Sequence, residues 1–104
     1  MDRTITPAQL QTGFAGKLIL DVRRSSDLAA STEQLAGARW QDPEKLADWA
    51  GTLPADKDIV IYCVRGGSVS NGVIDALHAR GLKACFIEGG IEGWKTAGGK
   101  VEEK

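Results

Sequence analysis

Three apolar runs alternating with helical segments predict an α/β domain, a central, mainly parallel sheet of about four to five short strands flanked by helices on both faces. Residues 17–22 (Lys-Leu-Ile-Leu-Asp-Val), 59–62 (Ile-Val-Ile-Tyr) and 82–87 (Leu-Lys-Ala-Cys-Phe-Ile) are short and almost continuously apolar. That pattern suits strands buried on both faces of a parallel sheet. Between them, apolar residues recur at helical spacing, most clearly Val69, Val73, Ile74 and Leu77.

Each element has its own local reason. Thr6-Pro7 reads as a helix start, a hydroxyl cap followed by a proline whose missing N–H costs nothing at the first helical position. Leu10 and Phe14 face the core from that helix, Gly13 and Gly16 end it, and Ile5 before it adds a short edge strand. Asp21 interrupts the first apolar run near its end and needs backbone N–H groups or arginines as partners. Ser25-Ser26-Asp27 reads as a cap, with Leu28, Ala29 and Ala30 as a helical turn, and Arg39-Trp40 as a very short strand. Asp42-Pro43 opens a helix with Leu46, Trp49 and Ala50 on its apolar side and Gly51 at its end. Residues 54–58 form a polar turn before the second strand. Ser68 is placed as the cap of the helix that Gly81 terminates. Gly89-Gly90 turns the chain into a last helix with Ile91, Trp94 and Ala97 on one face, and Gly98-Gly99 ends it. A single domain spanning 1–104 is expected, with 98–104 as a frayed tail.

The totals set the chemical bounds. Thirteen basic and fourteen acidic residues give a formal net charge of -1, and no basic stripe lies on any predicted helix. That excludes a nucleic-acid footprint. No apolar stretch has signal-peptide or transmembrane length, so no membrane association is expected. Cys63 and Cys85 are too few and too far apart for a zinc ribbon or a CxxC redox motif, and no metal or cofactor is implied. Two reduced thiols favour a reducing, cytoplasmic setting.

The chemistry concentrates at Cys63-Val64-Arg65-Gly66-Gly67-Ser68, which joins the second strand to the helix bearing Val73. Such a loop turns backbone N–H groups toward the mouth of a helix, and that partial positive charge stabilises an anionic sulfur. Arg65 adds a positive side chain. Cys63 is therefore the candidate nucleophile, whereas Cys85, inside a strand and without these features, reads as structural. Ser68 can serve as a cap or as a donor to a sulfur or oxyanion, and Ser70 reads as an ordinary helix residue. The lone histidine, His78, lies more than two turns into the helix and reads as solvated. Without a nearby general base, the thiolate suits attack on a soft atom with a good leaving group, and sulfur transfer fits. Strand ends at Asp21 to Arg23, at Cys63 and at Glu88 to Gly90 can converge, because ligands bind beyond the C-terminal ends of parallel strands. At Asp21 itself a loop-organising carboxylate is favoured over a catalytic one.

In this order the motifs resemble the rhodanese family of sulfurtransferases, from about Ile5 to Gly99. Asp21-Val22-Arg23 resembles the family's first strand ending. Asp27-Leu28 stands where an acidic-plus-aromatic pair is usual, and Leu35-Ala36-Gly37-Ala38 resembles the Ile-Pro-Gly-Ala step. Ile61-Tyr62-Cys63 with its loop resembles the active-site segment, and Gly89-Gly90-Ile91-Glu92-Gly93-Trp94 resembles the Gly-Gly-x-x-x-Trp signature. The resemblance implies a rhodanese-like fold and a double displacement. In it Cys63 attacks the outer sulfur of thiosulfate or a similar donor, holds it as a persulfide, and passes it to cyanide, a thiol or a protein acceptor. Val64, Arg65, Gly66, Gly67 and Ser68 would bind the substrate through their backbone N–H groups, with Asp21 and Arg23 in support.

Related phosphatases and arsenate reductases close a longer loop with arginine, Cys-x5-Arg, and here that position is Val69. Thiosulfate-type loops carry basic residues after the cysteine, of which Arg65 supplies one. Glu33-Gln34 replace the usual Gly-His, and Gly67-Ser68 leave the loop end uncharged where many single-domain members have arginine. Two other readings remain open: a persulfide-carrying interaction module, with an exposed apolar rim at Trp40 or Trp94, and an oxyanion-binding domain without chemistry.

Overall fold

The computed structural model describes residues 3–14 and 16–104; Met1, Asp2 and Ala15, within the expected 1–104 span, lie outside the described residues. The elements in chain order are β1 (Thr4–Ile5), α1 (Pro7–Thr12), β2 (Leu18–Asp21), α2 (Ser25–Ala29), β3 (Glu33–Leu35) and β4 (Arg39–Trp40). They continue with α3 (Leu46–Trp49), β5 (Ile59–Tyr62), α4 (Ser68–Ala79), β6 (Ala84–Ile87), α5 (Gly90–Thr96) and β7 (Val101–Glu103). Five strands form one sheet in the order β1-β6-β5-β2-β4. Every neighbouring pair in it is parallel.

Alternation along the central strands explains the layers. Ile59, Ile61, Leu20 and Phe86 join a cluster with Trp49, Ala50, Val73, Ile74 and Leu77, so α3 and α4 cover one face. Val60, Tyr62, Ile19 and Ile87 join Leu10, Ile91 and Trp94, so α1 and α5 cover the other. Every residue of β5 is buried. Burying each aliphatic side chain contributes roughly 1.5–3 kcal/mol, which is why the three apolar runs dictate the sheet. Cys63 continues the alternation of β5 onto the α4 side.

The start of α1 follows the sequence closely. Thr6 Oγ1 accepts from Gln9 N at 3.1 Å and Gln9 Oε1 accepts from Thr6 N at 3.0 Å, a complete capping box ahead of Pro7. Asp42 likewise accepts from Glu44 N, but the segment after it is broken: a 3-10 turn at Pro43–Lys45, the short α3, and a second 3-10 turn at Ala50–Thr52.

Several expectations are corrected. The cap of α2 is Arg24, with no side-chain bond, and Ser25 to Asp27 lie inside the helix. The cap of α4 is Gly67, with Ser68 as the first helical residue and solvent-exposed, so loop geometry and not a hydroxyl starts this helix. His78 is half-buried and its Nε2 pairs with the Ala84 carbonyl at 2.6 Å, tying α4 to β6. Ala97 is exposed and lies beyond α5.

The expected frayed tail instead contains β7, antiparallel to β3. Val101 packs on the α1–α5 side, and Glu102 accepts from Gln34 Nε2 and Gly37 N, each at 3.0 Å. These bonds hold Glu102 below its ordinary carboxylate pKa, the Gln34 amide contributing most. Neither β3 nor β7 is signalled in the sequence, since only Leu35 among their residues is buried and no apolar alternation marks them.

Candidate active site

Two neighbouring strands, β2 and β5, end side by side, with Asp21 in register with Tyr62. Beyond each end stands one of the polar groups singled out by the sequence, and their surroundings differ.

At the end of β2, Asp21 and Arg23 form a closed, buried pair. Asp21 Oδ2 accepts from Arg23 Nη2 at 2.6 Å, and Oδ1 accepts from Arg23 N and Nε, each at 3.0 Å. Arg23 Nη2 also donates to the Glu33 carbonyl at 2.8 Å, and the guanidinium lies over the Tyr62 ring at 5.6 Å. Trp40 Nε1 donates to the Arg23 carbonyl at 2.8 Å, and Leu35 N donates to the Tyr62 hydroxyl at 3.2 Å. Burial works to lower the Arg23 pKa, but the hydrogen bond and charge of Asp21 outweigh it and hold the guanidinium above its ordinary value. Burial, then the Asp21 charge, pushes the Tyr62 phenol well above its usual range and keeps it protonated. The pair is a latch for the segment from Arg23 to Leu35.

At the end of β5 the loop from Cys63 is held from behind by α5. Ile91 N donates to the Cys63 carbonyl at 3.0 Å and Glu92 N to the Val64 carbonyl at 3.2 Å. Gly90 makes this approach possible: its φ is +60°, and a Cβ there would stand 2.4 Å from the Cys63 oxygen and 2.5 Å from the Val64 oxygen. Gly66, at φ +73°, turns the loop so that its N–H donates to Cys63 Sγ at 3.2 Å. Ser70 Oγ donates to the same sulfur at 3.0 Å. Among the described residues these are the two donors that reach Sγ.

Cys63 is 6% exposed and opens onto a concavity of about 370 Å³ lined by Arg24, Asp27, Val64, Arg65, Gly67, Ser68 and Val69. The structure therefore brings Cys63 together with Val64, Arg65, Gly67 and Ser68, and with Gly66 through its N–H. It brings Gly89 and Gly90, of the expected stretch Glu88 to Gly90, behind the loop. Asp21 and Arg23 do not line the concavity; the residue of that segment that does is Arg24. Sequence reasoning missed Arg24, although its place beside Asp21-Val22-Arg23 put it at the right strand end. It also missed Ser70, whose signal is a hydroxyl on the buried stripe otherwise made of Val73, Ile74 and Leu77.

Cys85 is half-buried and lines a separate concavity with Thr4, Lys17 and Asp58, and it forms no disulfide with Cys63. Trp94 is buried, with Nε1 donating to the Lys100 carbonyl, and so offers no exposed apolar rim; Trp40 is half-buried, its Nε1 held by the Arg23 carbonyl. Among the described residues no group of three or more His, Cys, Asp or Glu is arranged to hold a metal ion, and no helix is long and apolar enough to cross a membrane.

A family model described as a rhodanese-like domain matches residues 6–97. No curated protein shows significant sequence similarity to the chain. Among solved structures, a rhodanese-related protein from Thermoplasma volcanium is similar, with a TM-score of 0.86 and 27% identity over 97% of this chain and 98% of the other. A full-length protein from Lactobacillus plantarum has a TM-score of 0.81 and 27% identity over 98% of this chain and 88% of its own. A Rhodopseudomonas palustris protein, described as a possible tyrosine phosphatase, has a TM-score of 0.77 and 25% identity over 96% of this chain and 84% of its own.

Proposed function

The chain belongs to the rhodanese-like domain family and has the rhodanese fold, and from that premise we propose that it is a sulfurtransferase that carries sulfane sulfur on Cys63. The observation that supports this most directly is the pair of donors on Cys63 Sγ, Gly66 N–H and Ser70 Oγ, at the mouth of an arginine-lined concavity. Donors aimed at a sulfur from a rigid loop favour its anionic form, which is the nucleophile.

The reaction has two displacements. The Cys63 thiolate attacks the outer sulfur of thiosulfate or a similar donor; the donor's S–S bond breaks and sulfite leaves with the electron pair, so Cys63 becomes a persulfide. A thiophilic acceptor then attacks the outer sulfur. With cyanide the product is thiocyanate, and the Cys63 thiolate is released. Thiol–disulfide exchange follows the same nucleophilic logic. Arg65 and Arg24 supply the positive charge that draws an anionic donor to the concavity, and Asp27 opposes them. A reducing, cytoplasmic setting belongs to the same proposal, since the thiolate must stay available.

The phosphatase description of the R. palustris relative does not transfer easily. An in-line phosphatase loop needs its closing arginine, and Val69 occupies that position here. Trp94 is buried, which removes one feature that would favour a pure docking module over an enzyme.

Incubation with thiosulfate followed by intact-mass measurement tests the reading. The parent and Cys85→Ser gain one sulfur, and Cys63→Ser gains none. Labelling that persists in Cys63→Ser would sink the assignment, and a parent that acquires no sulfur would remove thiosulfate as donor.

A further inference from the structure

Resting on the sulfurtransferase reading, we propose that Ser70 is a catalytic residue whose hydroxyl drives sulfur discharge from Cys63. Ser70 opens the buried stripe of α4, ahead of Val73, Ile74 and Leu77, and is fully buried. At such a position an alanine would pack equally well, and a hydroxyl without a partner would be costly. Its partner is Cys63 Sγ at 3.0 Å, and no buried side-chain polar atom among the described residues lacks a hydrogen bond. The hydroxyl is thus placed for the sulfur.

This bond changes strength through the cycle. When Cys63 is the attacking thiolate, the Oγ–H bond to Sγ is charge-assisted. Once the sulfur is loaded, Sγ is a neutral divalent atom within the Sγ–S bond and the negative charge sits on the outer sulfur, so the bond to Sγ is weak. In discharge the acceptor forms a bond to the outer sulfur, the Sγ–S bond breaks, and the electron pair returns to Sγ. Ser70 meets that growing charge with a donor already in position, which lowers the barrier to the leaving step. Loading runs the other way, from full charge on Sγ to none, so Ser70 does not accelerate it. The hydroxyl therefore shifts the balance toward delivery of sulfur and away from its retention.

Single-turnover intact-mass kinetics test this, with thiosulfate as donor and cyanide as acceptor, on the parent, Ser70→Ala, Ser70→Thr and Ser70→Val. Threonine and valine have the same shape and differ by the hydroxyl, so they judge the proposal even where the alanine variant folds poorly. Discharge slows on the order of tenfold in the alanine and valine variants, loading is unchanged or faster, and threonine recovers discharge. Equal slowing of both steps, or no slowing of discharge, overturns the proposal. Cleavage of a Cys63–glutathione mixed disulfide by a thiol needs no sulfane-sulfur donor, and attack on its outer sulfur also returns the electron pair to Sγ: it slows in the alanine and valine variants but not in threonine. Absence of that slowing overturns the role of the hydroxyl even where the parent takes up no sulfur from thiosulfate, and its presence in that case means that the sulfur-transfer reading has failed while the role of the hydroxyl stands.

Discussion

The ends of β2 and β5 lie side by side and both carry a group able to bear negative charge, yet they are built in opposite ways. Asp21 is saturated: one arginine supplies its donors, that arginine is spent on Glu33 and Tyr62 as well, and both members of the pair are at most 1% exposed. Cys63 receives two donors but faces a concavity on its other side. A buried charge with its partner in place is architecture, because any new ligand would have to displace what it already holds. A polarised atom with one open side is poised for exchange. The difference is one of occupancy, and it separates the scaffold from the site more sharply than residue type does.

The largest way to break this comparison is on the scaffold side. Arg23→Ala leaves the Asp21 carboxylate buried without its partner and is expected to cost about 3–5 kcal/mol, read from urea denaturation; a change below 1 kcal/mol would mean the latch holds little. Gly90→Ala attacks the site from behind. The added Cβ overlaps the Cys63 and Val64 carbonyls, and the positive φ adds strain. We expect a loss of roughly 2–4 kcal/mol, with Cys63 loading slowed even at temperatures where the variant is folded. A smaller effect sharpens the open side: Arg65→Ala is expected to raise the thiosulfate KM by about fivefold, in line with an exposed charge contributing on the order of 1 kcal/mol. An unchanged KM would remove Arg65 from the anion site.

The smallest effect concerns β7. Glu102 has a lowered pKa in the folded protein, so its contribution is present above the ordinary carboxylate value and is lost as pH falls through the lowered one. Hydrogen exchange at the Gly37 amide, normalised for intrinsic rate, is expected to quicken over that acidic window. The Glu102→Gln variant should show no such step.

Most of the sheet was legible because continuous apolar runs leave few alternatives, and the helix start at Thr6-Pro7 was legible because it is local, although the return bond from Gln9 was not read there. The Cys63 loop was legible for the same reason: its glycines, its arginine and the following helix are consecutive. The β3–β7 pair was not, since Glu33-Gln34 and Glu102-Glu103 are polar and pair across the length of the chain. Ser68 and Ser70 show how a near-local error arises. Both sit at the start of α4, and a capping rule favours the first. The cap falls one residue earlier, at Gly67, so Ser68 is the first helical residue and faces solvent, while Ser70 faces the sulfur. A shift of one residue exchanged their roles.

The hold of α5 on the loop has a consequence for anyone who would move this chemistry elsewhere. Two N–H groups in the first turn of α5 consume the Cys63 and Val64 carbonyls, so the loop is sorted by polarity, these two oxygens toward the helix and the Gly66 N–H toward the sulfur. A segment copied from Cys63 to Ser70 alone would lose that sorting. The smallest portable unit is two pieces of chain, the cysteine loop and Gly89 to Glu92, and a graft that carries only the first is expected to present an ordinary thiol.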